Sequence, residues 1–168
     1  MTAATSILIT MFIVFCLFII HEFGHIVGAT ILKLRIKNFG FTTKPILHFQ
    51  ISVEWSREKW KRTIYLLSGF FAYLLTLIII LLFGPNNKLI YLALSIQFII
   101  ETNPYYSDFV ILMISTNAYK TQRTNKITYR EAYKIEYQKY KFSRIWYFHF
   151  TLWALIILGI IKFNTLTL

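Results

Sequence analysis

Residues 7–20 read ILITMFIVFCLFII, and residues 21–25, which follow directly, read HEFGH. The apolar run predicts a membrane-spanning helix that ends in an H-E-x-x-H motif. On a helix, His21 and His25 lie one turn apart on one face, where both imidazoles can hold one zinc ion. Glu22 lies beside them and can act on a water molecule as a general base. The stretch therefore predicts metal chemistry inside a membrane.

The motif has a second interpretation, in which the polar residues are a buried accident without function. Two imidazoles and a carboxylate in an apolar helix cost several kcal/mol unless they are paired, hydrated or coordinated. A metal site removes that cost, so the membrane setting favours it. Gly24 and Gly28 lie on the flank opposite Glu22 and form a small-xxx-small pair, which lets a second helix or an extended peptide approach closely.

The composition places the chain among membrane proteins. Of its 168 residues, 57% are hydrophobic, which is too apolar for an ordinary soluble domain and leaves room for one membrane-embedded domain over residues 1–168. The predicted fold class is an all-α polytopic membrane protein with about four transmembrane helices. The apolar stretches are 6–32, 63–83, 88–116 with an interruption near 101–104, and 146–162. Gly84–Asn87 reads as a tight turn that makes the second and third spans an antiparallel hairpin.

Charge predicts the orientation. The net charge is +11, and sixteen of the eighteen Lys and Arg residues lie in 33–62 and 117–145, eight in each segment. The positive-inside rule places both basic loops in the cytoplasm and needs no nucleic acid as a partner. Residues 1–6 carry no positive side chain, so we expect a permanent first span in the cell membrane, with both termini outside. The single cysteine, Cys16, excludes a disulfide framework and a Cys-based zinc site.

The first basic loop contains a candidate hairpin. Apolar and polar residues alternate without error over 47–55, the pattern of a half-buried strand, and 33–41 is a possible pairing partner. A small sheet at the membrane surface is expected. His48 falls on the polar face of this strand, where a solvated residue is expected rather than a metal ligand.

The second basic loop contains a candidate helix. Thr128 to Glu131 reads as a capping box, and tyrosines then recur at helical spacing between basic residues, at 129, 133, 137 and 140. Two interpretations remain open: a helix lying on the anionic lipids of the inner leaflet, and an ordinary amphipathic helix docked on the protein.

A catalytic zinc ion usually has three protein ligands, so a third ligand is expected from another span. Among the seven acidic residues, three lie in apolar stretches: Glu22, Glu101 and Asp108. At about 1.5 Å per residue from the outer surface, the first span reaches the histidines after roughly 23–30 Å, and the third span reaches Asp108 at a similar depth. Asp108 is therefore the preferred third ligand, and Glu101, which lies shallower, is the second choice.

Two segments resemble the site-2 protease family of intramembrane metalloproteases. Phe18–His25, with Ala29 four residues further on, is similar to the first motif of that family, and Asn103–Asp108 is similar to its Asn/Pro-rich segment ending in a metal-binding aspartate. The resemblance implies a three-helix catalytic core, with residues 34–56 near the substrate path. It further implies zinc bound by His21, His25 and Asp108, Glu22 as general base, and Asn103 and Gly69 as substrate-positioning residues.

The chain also departs from the family. Phe109 follows the aspartate where the family has glycine, and the second-span Gly-Pro-x-x-Asn pattern is reduced to Gly-Phe-Phe-Ala-Tyr at 69–73. The leading hypothesis is an endopeptidase that cuts a transmembrane or short membrane-associated peptide near the cytoplasmic side, alone or with a membrane partner protein. The alternative is a non-catalytic peptide-binding or immunity partner of the same fold. A di-iron oxidase or metal transporter is disfavoured because the chain has only four histidines.

Overall fold

The computed structural model describes residues 2–42, 48–54, 56 and 58–167. The described residues are mainly helical and form six helices and two strands. In chain order these are α1 (Ala3–Ile31), β1 (Ile36–Thr42), β2 (His48–Val53), α2 (Lys59–Phe83), α3 (Lys88–Glu101), α4 (Asp108–Asn125), α5 (Tyr129–Tyr140) and α6 (Arg144–Thr167).

Three helices in this part of the chain are long and apolar enough to cross a membrane: α1, α2 and residues 144–162 of α6. The apolar stretch 88–116 does not form one long helix. As the sequence predicts, it is interrupted, and the break lies between Glu101 and Asp108. Pro104 has no N–H to donate, and the side-chain oxygen of Asn103 accepts from the backbone N–H of Tyr105 at 2.8 Å, which favours a turn. With 14 residues, α3 is about 21 Å long and too short to cross alone.

The chain divides into two compact units, residues 1–97 and 98–168. In the first unit, α1 packs against α2. The face of α1 that carries the motif is buried, whereas large apolar side chains on its other side are exposed, as expected for a surface in contact with lipid. These exposed residues include Leu8, Phe12, Phe15, Ile19 and Phe23.

The two strands form an antiparallel sheet with Phe39 opposite Ile51 and Thr42 opposite His48, and the register shifts between Ile36 and Asn38. These strands lie within segments 33–41 and 47–55, extended by one residue at Thr42, which the alternation predicts to pair. Residues 47 and 55 lie outside the described part of the chain, and so does the side chain of His48.

The turn between α2 and α3 is short, as its sequence predicts. The backbone N–H of Gly84 donates to the Ile80 carbonyl at 2.9 Å, and the side-chain oxygen of Asn87 accepts from the N–H of Leu89 at 2.9 Å. The hydroxyl of Tyr73 donates to the carbonyl of Leu94 at 2.9 Å. Because this bond joins the two helices on either side of a four-residue turn, α2 and α3 run antiparallel.

In the second unit, α5 packs against α4. The predicted capping box is confirmed: the Thr128 hydroxyl accepts from the Glu131 N–H, and the Glu131 carboxylate accepts from the Thr128 N–H. Ala132 and Tyr140 are buried, and the Thr121 hydroxyl of α4 donates to the carboxylate of Glu136 at 2.7 Å. Of the two interpretations of α5, these contacts favour the helix docked on the protein.

Candidate metal centre

α1 brings its two histidines together as the motif predicts. Both side chains are buried, and their Nε2 atoms lie 3.1 Å apart. The rings are nearly perpendicular, with an interplanar angle of 83°. Two zinc–nitrogen bonds of 2.0–2.1 Å at a tetrahedral angle would place the nitrogens about 3.3–3.4 Å apart. His21 and His25 are therefore close to the separation at which both can bind one ion.

The carbonyl oxygen of Tyr65 in α2 sets the tautomer of His25. It lies 2.9 Å from Nδ1 of His25, and because a carbonyl oxygen only accepts, Nδ1 carries the hydrogen. Nε2 of the neutral ring then keeps its lone pair and faces His21. Metal-binding histidines usually donate their other N–H to a carbonyl or carboxylate in this way, which fixes the orientation of the ring.

Glycines let α2 come this close to the motif. A Cβ atom on Gly24 would lie 2.5 Å from the carbonyl oxygen of Ser68 and 3.0 Å from Cα of Gly69, and one on Gly28 would lie 2.8 Å from Cβ of Ser68. Any larger residue would push the two helices apart. The predicted small-xxx-small approach is therefore confirmed, with α2 as the partner helix.

Gly69 of α2 lies directly beside the Nε2 atoms of both histidines. A Cβ atom there would lie 2.6 Å from Nε2 of His25 and 2.8 Å from Nε2 of His21. The resemblance assigns Gly69 to substrate positioning, and the structure gives it a more immediate effect, which is to leave space beside the two candidate ligand atoms.

The break between α3 and α4 places an acid at a helix start. Asp108 is the first residue of α4, and Ser107 is its N-cap residue. Acidic residues are favoured in the first turn of a helix, where the backbone N–H groups lack helical acceptors. Asn103 and Pro104, which form the break, are both buried.

His21 and His25 belong to the first unit and Asp108 to the second. Glu101 is buried at the end of α3. Glu22, directly after His21 on α1, is half-buried.

Two imidazole nitrogens and one carboxylate oxygen form a donor set that suits zinc, which binds His and Asp and leaves a fourth position open at catalytic sites. Calcium and magnesium prefer oxygen ligands alone. The residues present therefore fit the zinc ion that the motif implies.

Several residues around the site were not predicted from the sequence. The Tyr65 carbonyl has no sequence signal, because every residue has a carbonyl. The hydrogen bonds to the backbone near the break from Tyr140, His149 and Trp153 were also not predicted. A weak signal exists for the last two: His149 and Trp153 lie four apart on an otherwise apolar helix, and each has an N–H that must find an acceptor in a membrane.

Comparison of the chain with protein-family models, with curated proteins and with solved structures finds no match.

Proposed function

We propose that this protein is a zinc-dependent intramembrane endopeptidase similar to the site-2 protease family. It cleaves a membrane-spanning or membrane-associated peptide near the cytoplasmic side. The observation that carries the proposal is the pair of buried imidazoles in α1, whose Nε2 atoms lie 3.1 Å apart next to Glu22. Together with Asp108, His21 and His25 would hold the ion. The hydrogen bond from His25 to the Tyr65 carbonyl adds support, because it leaves Nε2 of His25 available as a ligand.

The reaction needs a base, an acid and an electrophile. Zinc, when bound, supplies a Lewis acid that polarises the scissile carbonyl. Glu22, beside the ligands on α1, takes a proton from the attacking water and then gives it to the amine that leaves as the C–N bond breaks. The products are one new carboxyl terminus and one new amino terminus. Gly69 leaves room beside the ligands, and Asn103, whose side chain caps the break, shapes the backbone before Asp108.

In this proposal the chain is a multi-pass protein of the cell membrane with four crossings and a three-helix catalytic core. α1, α2 and α6 each cross, and α3 with α4 form one interrupted crossing. Broken helices are tolerated at membrane depth where protein or water covers the freed backbone groups. Both termini then lie outside, and the basic loops 33–62 and 117–145 lie in the cytoplasm.

A second candidate function is a non-catalytic peptide-binding or immunity partner that keeps the metal for structure. Phe109 after the metal-binding aspartate, and the altered second-span pattern at 69–73, favour it. The presence of Glu22 beside the ligands favours the enzyme, because a structural zinc site needs no base.

Glu22→Gln separates the two functions. The variant keeps the size of the side chain but removes the base, so we expect it to fold and retain zinc while cleavage falls on the order of 100-fold or more. Small membrane peptides are co-expressed with wild type or with the variant, and their intact masses are compared.

Glu58→Gln is the matched control, since it changes an exposed carboxylate outside the 34–56 segment in the same way and should leave cleavage unchanged. If Glu22→Gln produces every cleavage product that wild type produces, proteolysis is not the function and the binding-partner proposal replaces it.

A further inference from the structure

The break between α3 and α4 frees backbone carbonyls that a continuous helix would satisfy. Three of them accept hydrogen bonds from side chains of α5 and α6, and all of these groups lie in the second unit. The bonds run from Trp153 Nε1 to Ile99 O at 2.8 Å, from His149 Nε2 to Thr102 O at 3.0 Å, and from Tyr140 Oη to Pro104 O at 3.1 Å. We call these three side chains the brace.

Two members of the brace are also joined to each other. Nδ1 of His149 lies 3.2 Å from the hydroxyl oxygen of Tyr140. Because the Thr102 carbonyl only accepts, Nε2 of His149 carries a hydrogen. Burial raises the pKa of the Tyr140 hydroxyl to about 12, so this group keeps its proton at neutral pH. With its hydrogen on Nε2, His149 offers Nδ1 as an acceptor, which shares the single hydroxyl hydrogen of Tyr140 with the Pro104 carbonyl. The brace is therefore a connected set of side chains bonded to the end of α3 and to the segment that follows it.

The braced segment leads directly into α4. The N–H of Ser107 donates to the carbonyl of Asn103 at 3.3 Å, and the side chain of Asn103 accepts from the N–H of Tyr105. Three residues separate Pro104 from Asp108, and these local bonds restrict the conformations of that short link. Unpaired carbonyls at membrane depth are costly, so without the brace the segment would refold or draw in water. Either change would move the first residue of α4.

We propose that Tyr140, His149 and Trp153 are positioning residues that hold the 99–107 segment, and through it the carboxylate of Asp108, in the geometry that the metal centre requires. The proposal rests on the proposed function, in which Asp108 is the third zinc ligand. None of the three side chains is itself needed as a ligand or as a base.

The test compares variants that delete one donor each and keep most of the ring: Tyr140→Phe and Trp153→Phe. Trp146→Phe is the matched control, because the indole N–H of Trp146 is buried without a hydrogen-bond partner among the described residues. Tyr133→Phe is the control on α5. Zinc affinity of the purified full chain is measured by competition with a chelator. Each brace variant should bind zinc about 10-fold more weakly, as for loss of an outer-shell partner, and each control should match wild type.

Two substitutions of His149 distinguish loss of its hydrogen bond from loss of packing. His149→Leu should weaken zinc binding, and His149→Gln, which keeps a side-chain N–H, should restore part of the affinity. The proposal is overturned if the brace variants bind zinc as tightly as wild type, or if the controls lose as much as they do.

Amide hydrogen exchange in metal-free protein separates this proposal from the function on which it rests. In the brace variants, exchange at Asn103 and at residues 105–108 should be faster than in wild type, whether or not zinc binds. Wild type that shows this protection but binds no zinc would overturn the proposed function and, with it, the role of the brace at a metal centre. Unchanged exchange in the brace variants overturns the brace itself.

Discussion

An alanine at position 69 would place a methyl group against both histidines of the proposed metal centre. Its Cβ would lie 2.6 Å from Nε2 of His25 and 2.8 Å from Nε2 of His21. Ordinary van der Waals contact begins at 3.4 Å. The distances from the methyl group to these nitrogens must therefore increase by about 0.6–0.8 Å. Either the histidine rings move, or α1 and α2 separate.

A zinc site tolerates much smaller changes in its ligand distances than this movement. Ligand distances at a metal site hold to within about 0.2 Å, so a displacement three times larger removes at least one nitrogen from its bonding position. Loss of an outer-shell partner alone weakens metal binding about 10–100-fold. Because Gly69→Ala displaces ligands themselves, we expect zinc affinity to fall by on the order of 100-fold or more.

Gly159→Ala is the matched control. Gly159 also lies in a helix, α6, but a Cβ there would meet nothing within 4 Å. Alanine should stabilise that helix by about 1 kcal/mol and leave zinc binding unchanged. Both variants are purified in detergent and titrated with zinc against a competing chelator, with helix content checked by circular dichroism. If Gly69→Ala binds zinc as tightly as wild type, the close approach of α2 to the histidines does not shape the metal centre.

Two further predictions concern the third ligand and the topology. Purified wild type should hold about one zinc ion per chain, and Asp108→Ala should lose it as readily as His21→Ala, whereas Glu101→Ala should retain it. Metal analysis showing the reverse for the two acids would make Glu101 the ligand. Reporter fusions at Ser56 and Tyr129 should read cytoplasmic, and fusions at Asn86 and at the C-terminus should read external. An external signal from either basic loop would contradict the proposed orientation.

Local periodicity explains what could be predicted from the sequence. His21 and His25 meet because residues four apart on any helix share a face, whatever surrounds them. The hairpin strands follow from alternation with a period of two, and the break in the third apolar stretch follows from Pro104. Each of these features is decided within about ten residues of chain.

The remainder depends on packing between distant segments. The Tyr65 carbonyl is 40 residues from His25, and the brace bonds from His149 and Trp153 cross 47 and 54 residues. No local pattern fixes such pairs, because any polar side chain on α6 could have met another acceptor. The depth argument for Asp108 concerns the level of the acid in the membrane and carries no information on the direction of its side chain.

The glycines between α1 and α2 have a consequence for mutational tolerance. Where two backbones touch, no side chain can change its rotamer to absorb an added atom, so the contact accepts almost no substitution. On the opposite side of α1, side chains such as Leu8 and Phe12 are largely exposed. A saturation library of α1 should therefore divide into two stripes. One would be as intolerant at Gly24 and Gly28 as at the histidines, and the other would accept nearly any apolar residue.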